Sequence, residues 1–203
     1  KERSIMEKNG QLNNYNDLNK MPILRRNNRI KSIHSSLAIE ANSLTFNQVK
    51  DVINGKLVIG EQKEIQEVKN AYKAYEMIKD VNPYKIKDLL NIHKTLTYLT
   101  VEESGVFRKG SEGVFDENNN CIFIAPKPEF VEGLMNDLFF WMKENKDNLH
   151  PLILSSIFHY EFVFIHPFSD CNGRTARLWQ NIILSNWKEI FEYVPIESQI
   201  KKY

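Results

Sequence analysis

The sequence predicts a mainly α-helical protein with a single β-hairpin, and three observations carry that reading. Apolar residues recur at three- and four-residue steps along most of the chain. One stretch, Gly105 to Pro126, breaks this period and places a turn cluster, Asp116-Glu-Asn-Asn-Asn120, between two short apolar or β-branched runs. The 203 residues, 42% hydrophobic, suffice for one domain with a sizeable core.

Composition mainly excludes. With 27 basic and 26 acidic residues the net charge is +1, so no basic excess points to nucleic acid. Cys121 and Cys171 are too few for a disulfide framework or a zinc set, and a reducing cytoplasmic compartment is the simplest expectation. The most apolar stretch, Leu152 to Ile165, is interrupted by His159 and Glu161 and is too short to cross a bilayer. No membrane partner is expected, and no signal peptide is visible.

Residues 1–20 read as a marginal helix or a loose arm. Ile23 to Ala41 follows as a helix with Ile30, Ile33, Leu37 and Glu40 along one face. Ser36 and Glu40, four apart, point the same way, and on their own they read as a solvated helix end. Thr45-x-x-Gln48 forms a capping box for a short helix that stops near Asn54-Gly55. Glu61 to Lys79 is a longer helix with Ile65, Val68, Ala71, Tyr72, Tyr75 and Ile78 inward, and Asn82-Pro83 opens the next. There Ile86, Leu89, Leu90, His93 and Leu96 keep helical spacing, with His93 as a core histidine. The hairpin strands are Gly113–Phe115 and Cys121–Ile124. Lys127 to Trp141 is amphipathic, with Phe130, Val131, Leu134, Leu138 and Trp141 inward. His150-Pro151 opens a buried helix over Leu152–Ile165. His159 lies seven residues before His166, but that pair lacks a third metal ligand, so His159 reads as structural. A last core helix carries Leu178, Ile182 and Ile183 and ends before Val194-Pro195. The organisation is thus an N-terminal arm and helix region (1–55), a core (56–195) and a polar tail (196–203).

The chemistry concentrates in His166-Pro-Phe-Ser-Asp170-Cys171-Asn172-Gly173-Arg174-Thr-Ala-Arg177. Pro167 ends the preceding helix, Asp170 to Gly173 is a turn-forming tetrad, and Arg174 onward reads helical. Free backbone N–H groups at a helix start form an anion site. Arg174 and Arg177 share one helical face, and guanidinium groups bind phosphate oxygens bidentately. Asp170 stands where a hard cation bridging phosphates would be held. His166 has the unperturbed pKa that a general base requires. Together they indicate phosphoryl or nucleotidyl chemistry.

This string resembles the Fic signature, roughly H-P-F-x-[D/E]-G-N-G-R-x-x-R, matched at every defined position except Cys171, where the family usually has glycine. Ser36-Leu-Ala-Ile-Glu40-Ala-Asn42 resembles the family's inhibitory pattern in the subclass that carries it N-terminal to the core, with Ala41 in place of the usual Gly or Asn. Gly105-x-x-Arg108 resembles a further family element. The resemblance implies a Fic-type helical bundle whose hairpin is a flap near the active site, docking a protein target through Cys121, Ile122 and Phe123. It implies transfer of AMP from ATP to a Ser, Thr or Tyr hydroxyl, with Mg²⁺ on Asp170 and His166 as base. The backbone at Cys171, Asn172 and Gly173 would cradle phosphate, helped by the Asn172 side chain. Arg174 would bind the β-phosphate region and Arg177 the γ-phosphate, unless Glu40 sits on Arg177. Self-modification at Tyr203 or Ser111 and a homodimer are further partners the resemblance admits. The alternatives are a hydrolase in which Glu40 activates water to remove AMP, transfer of phosphate itself, and a nucleotide-binding regulator without transfer. A surface hairpin without a role is the competing reading of the flap.

Overall fold

Residues 21–115 and 121–200 are described in a computed structural model of the chain. Pro22 opens α1 (Pro22–Ile39) at a position where its missing N–H costs nothing. α1 stops before the expected Ala41. The Ala41 N–H bonds to the Ala38 carbonyl and the Asn42 N–H to the Leu37 carbonyl, a Schellman closure. This closure puts Ala41 in the left-handed region, at φ 63°, which favours the glycine or asparagine usual in the inhibitory pattern.

The capping box opens α2 (Phe46–Ile53) as expected, with the Gln48 N–H donating to Thr45 Oγ1 and the Thr45 N–H to Gln48 Oε1. α3 (Gln62–Glu76) tightens into a 3₁₀ turn at Met77–Asp80. α4 (Ile86–Leu96) starts later than Asn82-Pro83, because Asn82 closes its own turn by accepting from the Tyr84 N–H at 2.9 Å. Strands β1 (Gly113–Phe115) and β2 (Cys121–Ile124) pair antiparallel, Gly113 opposite Ile124 and Phe115 opposite Cys121. α5 (Pro128–Asn145), α6 (Pro151–Ile165) and α7 (Asn172–Trp187) follow, then a 3₁₀ turn at Glu189–Tyr193 and the short α8 (Glu197–Ile200). The His150 ring caps α6 by accepting from the Leu152 N–H.

α6 and α7 share the most extensive helix contact, and their seam forms the centre of the core. Trp179, Phe158, Phe162 and Phe168 are fully buried there, and Phe139 meets Phe158 edge-to-face with centroids 6.0 Å apart. Burying each such ring contributes on the order of 2 kcal/mol.

Three expectations need correction. Phe130 is 57% exposed: the inward stripe of α5 is Val131, Met135, Leu138, Phe139 and Met142, one residue away from it. α6 is buried on one side only, through Leu154, Phe158, Phe162 and Ile165, while Ile153, Tyr160, Val163 and Phe164 are exposed. Residues 196–200 are not a free polar tail, because α8 packs on α1 and Glu197 is 1% exposed. The expectations for residues 1–20, for the 116–120 turn and for Tyr203 lie outside the described residues.

Candidate active site

The loop from His166 to Cys171 joins the end of α6 to the start of α7, and both ends bend through the left-handed region. His166 closes α6 at φ 51°, where Pro167 forbids further helix, and Cys171 enters α7 at φ 67°. The second value explains a glycine at that place in the family string: cysteine adopts the same backbone at a cost of about 1 kcal/mol. The turn is two residues shorter than the sequence implied, since α7 begins at Asn172.

Three buried side chains hold this loop. Arg108, 3% exposed, donates from Nε to the His166 carbonyl at 2.7 Å and through its Nη atoms to the carbonyls of Gly110 and Pro126. One guanidinium thus ties the motif to both stems of the hairpin. Asn172 accepts from the Phe168 N–H at 2.9 Å and donates to the Phe168 carbonyl at 2.7 Å. Its side chain thus ties the loop to the start of α7.

His93, fully buried, stacks on Phe168 with centroids 3.6 Å apart. Its Nδ1 accepts from the Gly105 N–H at 3.0 Å, which assigns the proton to Nε2 for donation to the Asp170 carbonyl at 3.1 Å. Gly105 itself sits at φ 74°, with an added Cβ 2.7 Å from Lys94 Cβ, so this bond needs glycine. Burial pulls the His93 pKa down to about 4, keeping the ring neutral.

The start of α7 carries the charges. Arg174, mostly buried, bonds Glu67 of α3 at 2.9 Å and Asp170 at 3.2 Å. Burial works against its charge, but the Glu67 and Asp170 carboxylates offset that and hold it protonated. Glu67 also accepts from the Asn42 side chain at 2.9 Å, so it bridges the end of α1 to α7. Nothing in its own helix pattern marked Glu67; its partners lie 25 and 107 residues away.

Arg177 meets the end of α1 at Ser36 and Glu40. It donates from Nε to Ser36 Oγ at 3.0 Å, and from Nη2 to the Ser36 carbonyl at 3.0 Å and Glu40 Oε1 at 2.7 Å. The Glu40 carboxylate lies directly against Gly173, where a Cβ would collide with it. A carboxylate thus rests in the anion position of the α7 N-terminus, complementing the positive end of the helix.

Asp170 is more open, with its side chain 44% exposed. Among the described residues no group of three or more His, Cys, Asp or Glu is placed to hold a metal. A cation at Asp170 would therefore need oxygens from a ligand. Burial raises the Cys171 thiol to about 12, so it is neither a thiolate ligand nor a nucleophile at neutral pH.

His166 faces a different environment. It lines a groove of about 680 Å³ with Phe123, Ser156, His159, Tyr160, Val163, Phe164 and Gln180. Phe123 of β2 packs on Phe164 of α6 at 5.1 Å, which fixes the hairpin beside the loop. Ile122 and Ile124 flank it, 67% and 74% exposed. His166 Nδ1 is buried without a hydrogen-bond partner among the described residues. His159 bonds Gln180 at 3.0 Å, as a structural histidine would.

The Fic/DOC family profile matches residues 83–184, half of the chain and the whole of the site loop. The chain belongs to the Fic/DOC family. A Fic family protein from Desulfovibrio desulfuricans superposes with a TM-score of 0.91 at 45% identity, covering 98% of this chain and 61% of that one. Fic-1 (residues 134–508) of C. elegans gives 0.67 at 26% identity, over 78% of this chain and 48% of that one. The protein adenylyltransferase Fic of Nematostella vectensis is 32% identical over 75% of this chain, and that of Aedes aegypti 30% over 76%. This chain spans about a third of those two relatives, 36% and 32% of their lengths. Among the described residues of this Fic protein no helix is long and apolar enough to cross a membrane.

Proposed function

We propose that this site transfers AMP from ATP to a Ser, Thr or Tyr hydroxyl of a protein and that Glu40 restrains the transfer. The observation that carries the reading is a carboxylate seated on Arg177 and Gly173 at the head of α7, beside the loop that ends in His166. A site built to hold an anion, and filled by one of its own, is a site from which that anion is displaced. The names of the Nematostella and Aedes relatives support the same chemistry.

In this reading Arg177 and the α7 N–H groups take the terminal phosphates once Glu40 leaves, and Gly173 leaves room for their oxygens. Arg174, held by Glu67 and Asp170, stiffens the cradle and meets the β-phosphate region. Asp170 fits magnesium, which favours one or two carboxylates together with phosphate oxygens and neutralises charge on the triphosphate. The groove accepts the nucleoside against its aromatic and apolar walls. With Nδ1 buried, His166 Nε2 is the ring atom that takes the hydroxyl proton. The hydroxyl oxygen bonds to the α-phosphorus, the bond from that phosphorus to the bridging oxygen breaks, and pyrophosphate leaves. The exposed edge beside Ile122 and Ile124 aligns an extended target segment by strand addition. Exposed Ser111, at the foot of β1, is a candidate for self-modification.

ATP labelled at the α- or γ-phosphate, incubated with wild type, His166→Ala and Glu40→Gly over a lysate, tests the reading. Label from the α-position alone is expected, stronger in Glu40→Gly and at least a hundred-fold weaker in His166→Ala. Transfer of γ-label would replace AMP transfer by phosphoryl transfer. No label in any variant, with ATP still bound, would leave a nucleotide-binding regulator.

A further inference from the structure

α1 delivers Glu40, but little apolar surface holds α1 down. Of its six buried residues only Ile30, Ile33 and Leu37 are apolar; Ser32, Ser35 and Ser36 complete the inner face. Such a polar seam needs polar partners, and the segment after α7 supplies them. Glu192 ion-pairs with Arg29, and the Tyr193 ring lies under the guanidinium groups of Arg25 and Arg29, at 5.2 and 5.4 Å. One helical step further, Glu197 of α8 is 1% exposed and accepts from the Tyr75 hydroxyl at 2.6 Å. Tyr75, 2% exposed on α3, is held by Glu197, and α3 in turn packs on α1. Ser36 is the residue that receives Arg177 Nε.

A carboxylate buried this deeply is costly unless it is hydrogen-bonded, and burial pushes the Glu197 carboxyl above its ordinary value. α8 has only four residues, and it packs on α1. Glu197 accepts from Tyr75 of α3, its helix α8 packs on α1, and α1 carries Ser36 and Glu40 to Arg177. We propose that Tyr75 and Glu197 are positioning residues that latch α1 in the place where Glu40 meets Arg177. This rests on Glu40 being the restraint proposed above. Opening the latch frees α1 and lowers the barrier to displacing Glu40, so the segment after α7 sets the resting activity. A partner that binds this segment would activate the site.

The test is hydrogen–deuterium exchange of the α1 amides 30–40, with α7 amides 178–184 as an internal control of folding. Affinity for a fluorescent ATP analogue is measured in parallel. Tyr75→Phe and Glu197→Ala are expected to speed α1 exchange, leave α7 unchanged and tighten the analogue about five-fold, the worth of one hydrogen bond. Glu197→Gln keeps an acceptor for Tyr75 and is expected to stay near wild type. In a Glu40→Gly background Tyr75→Phe should no longer change affinity. Unchanged α1 exchange in both Tyr75→Phe and Glu197→Ala overturns the latch, as does Glu197→Gln as loose as Glu197→Ala. Faster α1 exchange, with analogue affinity insensitive to Glu40→Gly itself, keeps the latch and removes Glu40 as the restraint.

Discussion

The two sides of the His166–Gly173 loop are finished in opposite ways. On the α7 side every charge meets an internal partner: Arg177 holds Glu40 and Ser36, while Arg174 holds Glu67 and Asp170. On the α6 side the groove is open and largely apolar, walled by Phe123, Tyr160, Val163 and Phe164. The difference follows from what each surface costs when empty. A guanidinium at 6% exposure without an anion loses hydration and gains nothing, whereas a shallow apolar wall in water costs only its area. The chain therefore supplies its own carboxylates to the buried guanidinium groups and leaves the groove open. Affinity should then be governed by removing internal anions on one side and by trimming walls on the other.

The strongest break of this contrast is Arg174→Ala. It leaves Glu67, 11% exposed, without its cation, and a loss of about 3 kcal/mol in unfolding free energy is expected from denaturant titration. An unchanged midpoint would mean that the α7 side is not balanced by these pairs. A smaller effect separates the loop's support from its charges. His93 is held near 4 in the fold against about 6.5 unfolded, so its contribution is present above pH 6.5 and fades as pH falls toward 4. His93→Gln should flatten that part of the stability curve relative to wild type, and parallel curves would count against the assigned proton. On the groove side Phe164→Ala removes the wall that holds Phe123, and ATP-dependent labelling should lose about five-fold through KM, with little change in stability. A kcat loss with KM intact would move Phe164 out of the binding surface. The smallest expected effect is Ala41→Gly, which relieves a left-handed alanine and should raise Tm by a degree or two, as read by calorimetry.

Much of this arrangement was legible in order along the chain, because it depends on neighbours. The capping box at Thr45 and Gln48, the His150-Pro151 start of α6, the break at Pro167 and the shared face of Arg174 and Arg177 all follow from local spacing. The left-handed backbone at Ala41 and Cys171 falls at the two places where the chain departs from the glycine or asparagine of the resembled strings. What escaped was set by distant partners. Glu67 looks like any exposed acid of an amphipathic helix until Asn42 and Arg174 arrive, and Glu197 looks like a tail residue until Tyr75 covers it. The bonds of Asn172 to the Phe168 backbone are not legible in its spacing either. The apolar run of α6 does not show which of its faces is open, since a wall of an open groove has the same composition as a core.

The central claim is that Glu40 occupies a place made for phosphate, and calorimetric titration of magnesium–ATP into wild type and Glu40→Gly tests it most directly. The account predicts ATP binding at least ten-fold tighter in Glu40→Gly, with an added favourable enthalpy as phosphate replaces the carboxylate on Arg177. Equal affinity and enthalpy in the two proteins would contradict it.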